Sequence, residues 1–393
     1  MFDYVDYVPQ NQHAYSRVRN VDTALAQVVD LAERGPLRQE FTLGAFIDIS
    51  GAFNNLKTDM ALNAMRDRGF PEHLVSWYES FVTNRIANTE VLGTISRRKL
   101  HLGTPQGGVL SPLCWNVPMD ELLVLLNELE SITGIGFSDD LAVLINGIDT
   151  LTLSDLMQQA LNKAQPWLTK YGLSISASKS AVVMFTNKKK WTQHPIKIGG
   201  ESIPYKKEVK YLGVILDSKL SGTSHVKHKI GKAKRHLMAY HYAISKKYGP
   251  KPILMRRAYN TIVIPALTHG CHVFGDKCQQ ENIKKSLNKL NRLASLLIAG
   301  VAPSTPTKGL EIIYNLRPLD ILLKKERQKS WQELITKSSP AGMELEKGKR
   351  MVSLKDGDQL QTKYATASLT LTKYQQKWLK KGTIKSTPLT TGE

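Results

Sequence analysis

The chain has 393 residues, enough for about two or three domains, and a hydrophobic content of 41% that is ordinary for a folding protein. Fifty-four Lys and Arg against 34 Asp and Glu leave a net charge of +20, which implies a polyanionic partner. Three cysteines (Cys114, Cys271, Cys278) argue against a disulfide framework, and no apolar run reaches the roughly 18 residues of a membrane-spanning helix.

The opening "MFDYVDYVPQNQH" has no signal-peptide h-region, so the expectation is an intracellular, soluble protein with no membrane partner. Residues 19–34 carry Val21, Leu25, Val28, Val29 and Ala32 near helical spacing, with Gly35-Pro36 as the stop. "FTLGAFIDIS", residues 41–50, reads as a buried strand carrying Asp48, followed by a turn at Ser50-Gly51 and a helical stretch to about Gly69. Residues 85–101 are β-prone, with Arg97, Arg98 and Lys99 near a turn. "GTPQGG", residues 103–108, reads as a loop. Ser111 is the expected N-cap and Pro112 the first helical position of a helix that continues to Leu129.

"ITGIGFSDDLAVLINGI", residues 132–148, reads as strand, tight turn and strand, with Asp139 and Asp140 at the turn. A helix over 151–171 stops at Gly172, and "AVVMF" (181–185) and "VKYLGVILD" (209–217) are strand-like. From Ser224 the pattern is helical again. Val226, Ile230, Ala233, Leu237, Tyr240 and Ile244 form an apolar stripe, with Lys227, Lys229, Lys232, Lys234 and Arg235 mostly off it. A second stripe of Leu287, Leu290, Leu293, Ala294 and Leu297 closes at Gly300. Beyond about residue 338 the Lys-, Thr- and Ser-rich chain reads as a linker or loosely ordered basic tail.

Two features ask for chemistry. Residues 205–260 hold 14 Lys and Arg but only Glu208 and Asp217 as acids, so this window carries +12 of the +20. And two adjacent aspartates stand in an apolar run, where like charges repel and lose hydration. A turn that uses Asp for its backbone preferences is one account. The other is a metal site, because Mg2+ takes one or two protein carboxylates with substrate phosphates, and a pair of ions about 4 Å apart can serve attacking and leaving oxygens. "HGCHVFGDKC" (His269, Cys271, His272, Cys278) has zinc-ligand residue types but no CxxC and no second half-site, so buried thiols on a helix are expected.

In order along the chain stand "FIDISGAF" (46–53), "GTPQGGVLSPLCWN" (103–116), "GFSDDLAVLI" (136–145), "GLSISASKSAVVMF" (172–185) and "VKYLGVILD" (209–217). These resemble motifs A to E of reverse transcriptases. With "QHAYSRVRNVDTAL" upstream and "PALTHGCHVFG" downstream, they look like those of non-LTR retrotransposons of the jockey-like group, over roughly residues 10–325. The resemblance implies an α+β right-hand polymerase. Residues 1–40 would be partial fingers and 41–220 a palm with an antiparallel sheet and an inserted fingers segment near 70–104. Residues 221–300 would be a helical thumb and 301–393 a connecting region and tail.

It also implies RNA-directed DNA polymerase activity: attack of a DNA primer 3′-OH on a dNTP, directed by an RNA template and assisted by two Mg2+ ions, with Mn2+ as a substitute. Asp48 and Asp139 match the two carboxylates that bridge the catalytic metals, with Asp140 the neighbouring third, and Lys179 matches the lysine that protonates pyrophosphate, although a solvated lysine beside a strand accounts for it equally. Phe53 matches the aromatic gate against a ribose 2′-OH, and core packing accounts for it equally. Gln106, Gly107 and Arg19 match nucleotide-binding positions. Arg97, Arg98, Lys99, Lys227, Lys232, Lys234 and Arg235 would meet nucleic-acid phosphates. The implied location is the nucleus during the reaction and the cytoplasm during synthesis.

The pattern departs from the family at Ser138, where alanine is usual, and at Pro118, within the second motif's helix. The family's polymerase also begins earlier, and no endonuclease or RNase H pattern flanks the motifs, as in a middle portion of a longer polyprotein. The rival expectation is therefore a catalytically impaired, nucleic-acid-binding remnant.

Overall fold

A computed structural model describes residues 11–16, 18–244 and 251–338 of the chain. The expected tail lies outside them, as do the first ten residues. Contacts divide the protein into two units, the larger made of the described residues of Met1–His228, His269–Cys278 and Lys329–Leu345.

The larger unit is built on a four-stranded antiparallel sheet in the order β4-β5-β1-β6, with β1 Phe41–Asp48, β4 Ile132–Phe137, β5 Asp140–Gly147 and β6 Ala181–Phe185. These strands are apolar almost without alternation because both faces of the sheet are covered. Leu43, Ala45 and Ile47 of β1, with Leu141, Val143 and Ile145 of β5, join one core. That core also takes residues of α3 (Thr58–Asp67), α5 (Ser111–Asn127) and α6 (Thr150–Tyr171). Phe46, Ala142, Leu144, Val183 and Phe185 face the other way, against α1 (Val21–Leu37) and Tyr211, Val214 and Leu216. Gly44 is a packing requirement: a Cβ there would stand 2.9 Å from the Phe185 ring.

Several local expectations are corrected. Helix α1 runs through Gly35-Pro36 rather than stopping before it. The glycine serves close approach, since a Cβ on it would lie 2.5 Å from Thr42 Oγ1 and 2.7 Å from the Phe41 backbone. The helical stretch after β1 is two pieces, α2 (Ala52–Asn55) and α3, followed by α4 (Glu72–Val82). Arg97, Arg98 and Lys99 are not at a turn. They lie inside β3 (Thr94–Leu100), whose hairpin with β2 (Arg85–Val91) turns at Leu92 and Gly93.

Ser111 is not the N-cap but the first residue of α5, after Leu110, and its hydroxyl donates to Pro105 O (2.7 Å). "VKYLGVILD" is not one strand but a hairpin of β9 (Glu208–Tyr211) and β10 (Val214–Asp217), reversed at Leu212 and Gly213, both with positive φ. It follows the two-residue strands β7 (Lys197–Ile198) and β8 (Glu201–Ser202). Gly172, at φ 70°, ends α6 as expected.

Pro118 sits buried inside a continuous α5. It forfeits the helical bond to the carbonyl four residues back. Its own carbonyl accepts from Trp167 Nε1 at 3.0 Å, so α6 secures the helix at that turn.

Helix α7 (Thr223–Ile244) begins in the larger unit, and α10 (Cys271–Phe274) belongs to it. The second unit holds the rest of α7, α8 (Pro252–Ala258), a π-helical turn (Tyr259–Val263), α9 (Ile264–Thr268), α11 (Glu281–Ala299) and α12 (Thr307–Ile313). It also holds the first half of α13 (Leu319–Ser338). The stripe of α11 centres on Ile283, Leu287, Leu290, Ala294 and Ile298, with Leu293 and Leu297 at its margin, and Gly300 closes the helix at φ 65°. Inside this unit Tyr259 donates to Asn291 (3.0 Å), which donates to Glu311 (2.7 Å).

Candidate active site

The three aspartates meet at one end of the sheet. Strands β4 and β5 are joined by a two-residue turn, Ser138 and Asp139, so Asp140 is the first residue of β5. The register of the β1–β5 pair then sets Asp140 directly opposite Asp48, the last residue of β1. Opposed like charges on adjacent strands are unfavourable. The Asp140 side chain keeps solvent-accessible surface. Even so, partial enclosure of its carboxyl, and then the nearby Asp139 and Asp48 charges, push its pKa up to about 6.

A cation joins this edge: Lys179 Nζ lies 4.0 Å from Asp48 Oδ2. The lysine side chain is 72% exposed, so this is a weak pairing that a bound substrate could replace. The loop before β6 brings it there. Asp48 N–H donates to Ser180 Oγ (3.1 Å), Ser180 Oγ–H to Ser176 O (2.7 Å), and Ser176 N–H to Asp48 O (2.9 Å).

The turn is held by residues that the sequence did not single out. Ser138 has φ 58°, a left-handed value that favours glycine. Its N–H donates to Gln12 Oε1 (3.1 Å), and its carbonyl accepts from Gln12 Nε2 (3.4 Å) and Trp115 Nε1 (2.9 Å). Its hydroxyl lies 3.3 Å from Tyr15 Oη. Gln12 is wholly buried, and its segment joins the sheet edge through Gly136 N–H to Asn11 O (2.8 Å) and His13 N–H to Gly136 O (2.9 Å). His13 is braced by Thr23 and Gln27, each at 2.7 Å. Burial pushes its imidazole down to about 4, so it stays neutral. Arg19 belongs to the same segment: it is half-buried and its Nη1 donates to Gln12 O (3.3 Å). The sequence signal was the resemblance of "QHAYSRVRNVDTAL" and "GTPQGGVLSPLCWN", which marks these segments without telling a buried clamp from a loop.

Phe53, on α2, is partly buried and packs on Trp115 with ring centroids 5.3 Å apart. The "GTPQGG" loop docks on that same short helix, through Gly103 N–H to Leu56 O and Thr104 N–H to Phe53 O, both 2.8 Å. Gly103, at φ 78°, has no room for a Cβ, which would lie 2.5 Å from Asn54 O. Arg85 pins the loop from β2 through Leu102 O and Gly103 O. Gln106 and Gly107 at its tip are exposed. Gly107 has φ 89° and open space around it, so it needs glycine for backbone conformation.

Arg97, Arg98 and Lys99 are exposed on β3. Lys227, Lys232, Lys234 and Arg235 are exposed on α7, the last three within the second unit, whereas Lys229 is buried. Cys271 and Cys278 are buried thiols on helical turns, and His269 instead bonds Leu212 O at 3.0 Å.

Among the described residues, no three His, Cys, Asp or Glu side chains are assembled to hold a metal by themselves. The aspartates fit a hard divalent cation in another way. They offer an open edge of oxygen donors whose mutual repulsion a cation relieves, the arrangement suited to an ion that also takes water and substrate phosphates.

The family model described as reverse transcriptase (RNA-dependent DNA polymerase) matches residues 4–216. The chain is 28% identical over 301 residues to the RNA-directed DNA polymerase from mobile element jockey of Drosophila melanogaster, covering 74% of this chain and 32% of that protein. It is 24% identical over 290 residues to a 115 kDa protein in type-1 retrotransposable element R1DM of the same species, covering 74% and 28% respectively. The chain thus spans about a third or less of these relatives. Among solved structures, telomerase from Candida albicans in complex with a TWJ fragment of telomeric RNA aligns over 86% of this chain and 55% of that one. The identity is 10% and the TM-score 0.40.

Proposed function

Since this chain belongs to the reverse transcriptase (RNA-dependent DNA polymerase) family, we propose that it extends a DNA primer on an RNA template, as part of a non-LTR retrotransposon polymerase. The observation that carries the reading is the register that opposes Asp48 to Asp140 beside Asp139. Divalent ions held by these carboxylates, Mg2+ by preference and Mn2+ in its place, would supply the positive charge that favours ionised primer 3′-OH and binds the triphosphate.

The chain's own residues do the rest. Asp48 and Asp139, with Asp140 beside them, present oxygens from the end of β1 and the head of the β4–β5 hairpin. Lys179, 4.0 Å from Asp48, is placed to protonate departing pyrophosphate. Phe53, backed by Trp115, walls off a ribose 2′-OH, and the exposed Gln106 and Gly107 lie along the incoming nucleotide. Arg19 steadies the phosphates. In this reading the four-stranded sheet is the palm, the segment before it and the α4–β3 insertion are fingers, and α7 begins a thumb that meets primer–template phosphates. The reaction takes place in the nucleus.

Pro118 gives little support to the rival reading of an impaired remnant, because its helix continues through it. Primer extension on a primed RNA with Mg2+ and dNTPs tests the proposal, beside Asp139→Ala and Asp140→Ala. Extension by the wild type alone is expected. No extension, with salt-sensitive primer–template binding intact, would mean a polymerase fold without its chemistry.

A further inference from the structure

Gln12 and Trp115 are buried donors outside the carboxylate site, and both end on one backbone residue, Ser138. Hairpin turns ordinarily leave such groups to water. Here an amide side chain takes the N–H and C=O of Ser138 together, as a neighbouring strand would, and its Oε1 also accepts Ala14 N–H at 3.1 Å. The Ser138 carbonyl accepts a further hydrogen bond from the Trp115 indole. That same indole packs on Phe53, with ring planes inclined by 33°.

An unbroken chain of contacts therefore runs from Phe53 through Trp115 to Ser138 and Gln12, and Ser138 directly precedes Asp139 and Asp140. We propose that Trp115 is a positioning residue that couples the Phe53 gate to the carboxylate turn, with Gln12 as the opposing strut. Sugar selection and divalent-ion affinity are then set by one rigid element. A phenylalanine at position 115 could pack on Phe53 but could not bond Ser138, so the two roles are separable by substitution. The kinetic part rests on the polymerase reading; the geometric part does not.

The test uses the full chain with Trp115→Phe, Trp115→Leu, Gln12→Leu and the milder Gln12→Asn, which stays neutral but is one methylene too short to reach both groups of Ser138. In primer extension, Trp115→Phe and Gln12→Leu should raise the Mg2+ midpoint by ~3–10-fold, the loss of one and of two hydrogen bonds to Ser138, with dNTP over rNTP preference held within about twofold. Gln12→Asn should fall between Gln12→Leu and wild type. Trp115→Leu should lose ion affinity and sugar preference together.

The second readout needs no turnover. In protein labelled with 15N-tryptophan, the Trp115 indole resonance is the one absent from Trp115→Phe among the six tryptophans. It should broaden at low Mn2+ in wild type, require several-fold more Mn2+ in Gln12→Leu and Gln12→Asn, and resist broadening in Asp48→Asn with Asp140→Asn. Wild-type Mn2+ dependence in both Gln12 variants would overturn the proposal, whether or not primer is extended. Failure of the wild type to extend, with the Mn2+ shifts as expected, would overturn the polymerase reading alone. Melting curves show whether each variant folds; if Trp115→Phe does not, the Gln12 pair decides.

Discussion

Asp140 shows how one residue can serve the site at a cost to the fold. Its carboxyl is raised from 3.8 to about 6 by enclosure and by the other two aspartates, so the folded protein holds that proton more tightly than the unfolded chain does. By linkage this contribution is fully present below the unfolded pKa and is lost as pH rises through the folded value. Between pH 4 and 6.5 the ion-free protein should therefore lose stability relative to Asp140→Asn. Melting curves in EDTA would show the variant's advantage growing over that window, and Mg2+ should shrink it at pH 7. A constant difference across the window would mean that neither enclosure nor the neighbouring charges raise the Asp140 carboxyl. The identity of these aspartates was legible in the sequence. Their opposition was not, because it depends on which residue of β1 faces which residue of β5.

Among the elements, the α1–β1 corner illustrates the limit of reading glycine and proline as punctuation. Gly35-Pro36 looked like a stop, yet it lies in the last turn of α1 because β1 returns so close that only a hydrogen fits at residue 35. Gly35→Ala should destabilise the protein by ~1–3 kcal/mol, the usual cost of forcing a methyl into filled space, read as a lower midpoint in urea. The opposite case is Pro118, which looked disruptive but sits where Trp167 takes its carbonyl. The hairpin around Leu212 and Gly213 was hidden for a related reason. Two four-residue strands joined by two residues of positive φ resemble a single apolar run when only composition is read.

For the molecule as a whole, charge is the property that sequence and structure treat alike. Lys227, Lys232, Lys234 and Arg235 are exposed on α7, while Lys229 is withdrawn into the interior. If α7 meets primer–template phosphates, replacing those four by alanine removes up to four counterion-releasing contacts. The log–log slope of primer–template affinity against salt should then flatten by about 3–4 for a duplex partner. Fluorescence anisotropy across a salt series measures it. An unchanged slope would remove α7 from the nucleic-acid interface and leave the β3 basic residues as the next candidates. Among the described residues no helix is long and apolar enough to cross a membrane.

The sequence by itself determined the order and residue types of five motifs, the basic character of α7, the helix stops at Gly172 and Gly300, and the three carboxylates. These are local properties, written in spacing and side-chain chemistry that a short window contains. Tertiary structure alone decided that Asp48 faces Asp140, that Trp115 touches both Phe53 and the Ser138–Asp139 turn, and that Gln12 closes on Ser138 from 126 positions away. Such pairings depend on strand register and on which polar groups are shut off from water. A one-residue slip would turn every side chain of a strand to its other face, and where both faces are apolar the local pattern does not reveal which register wins.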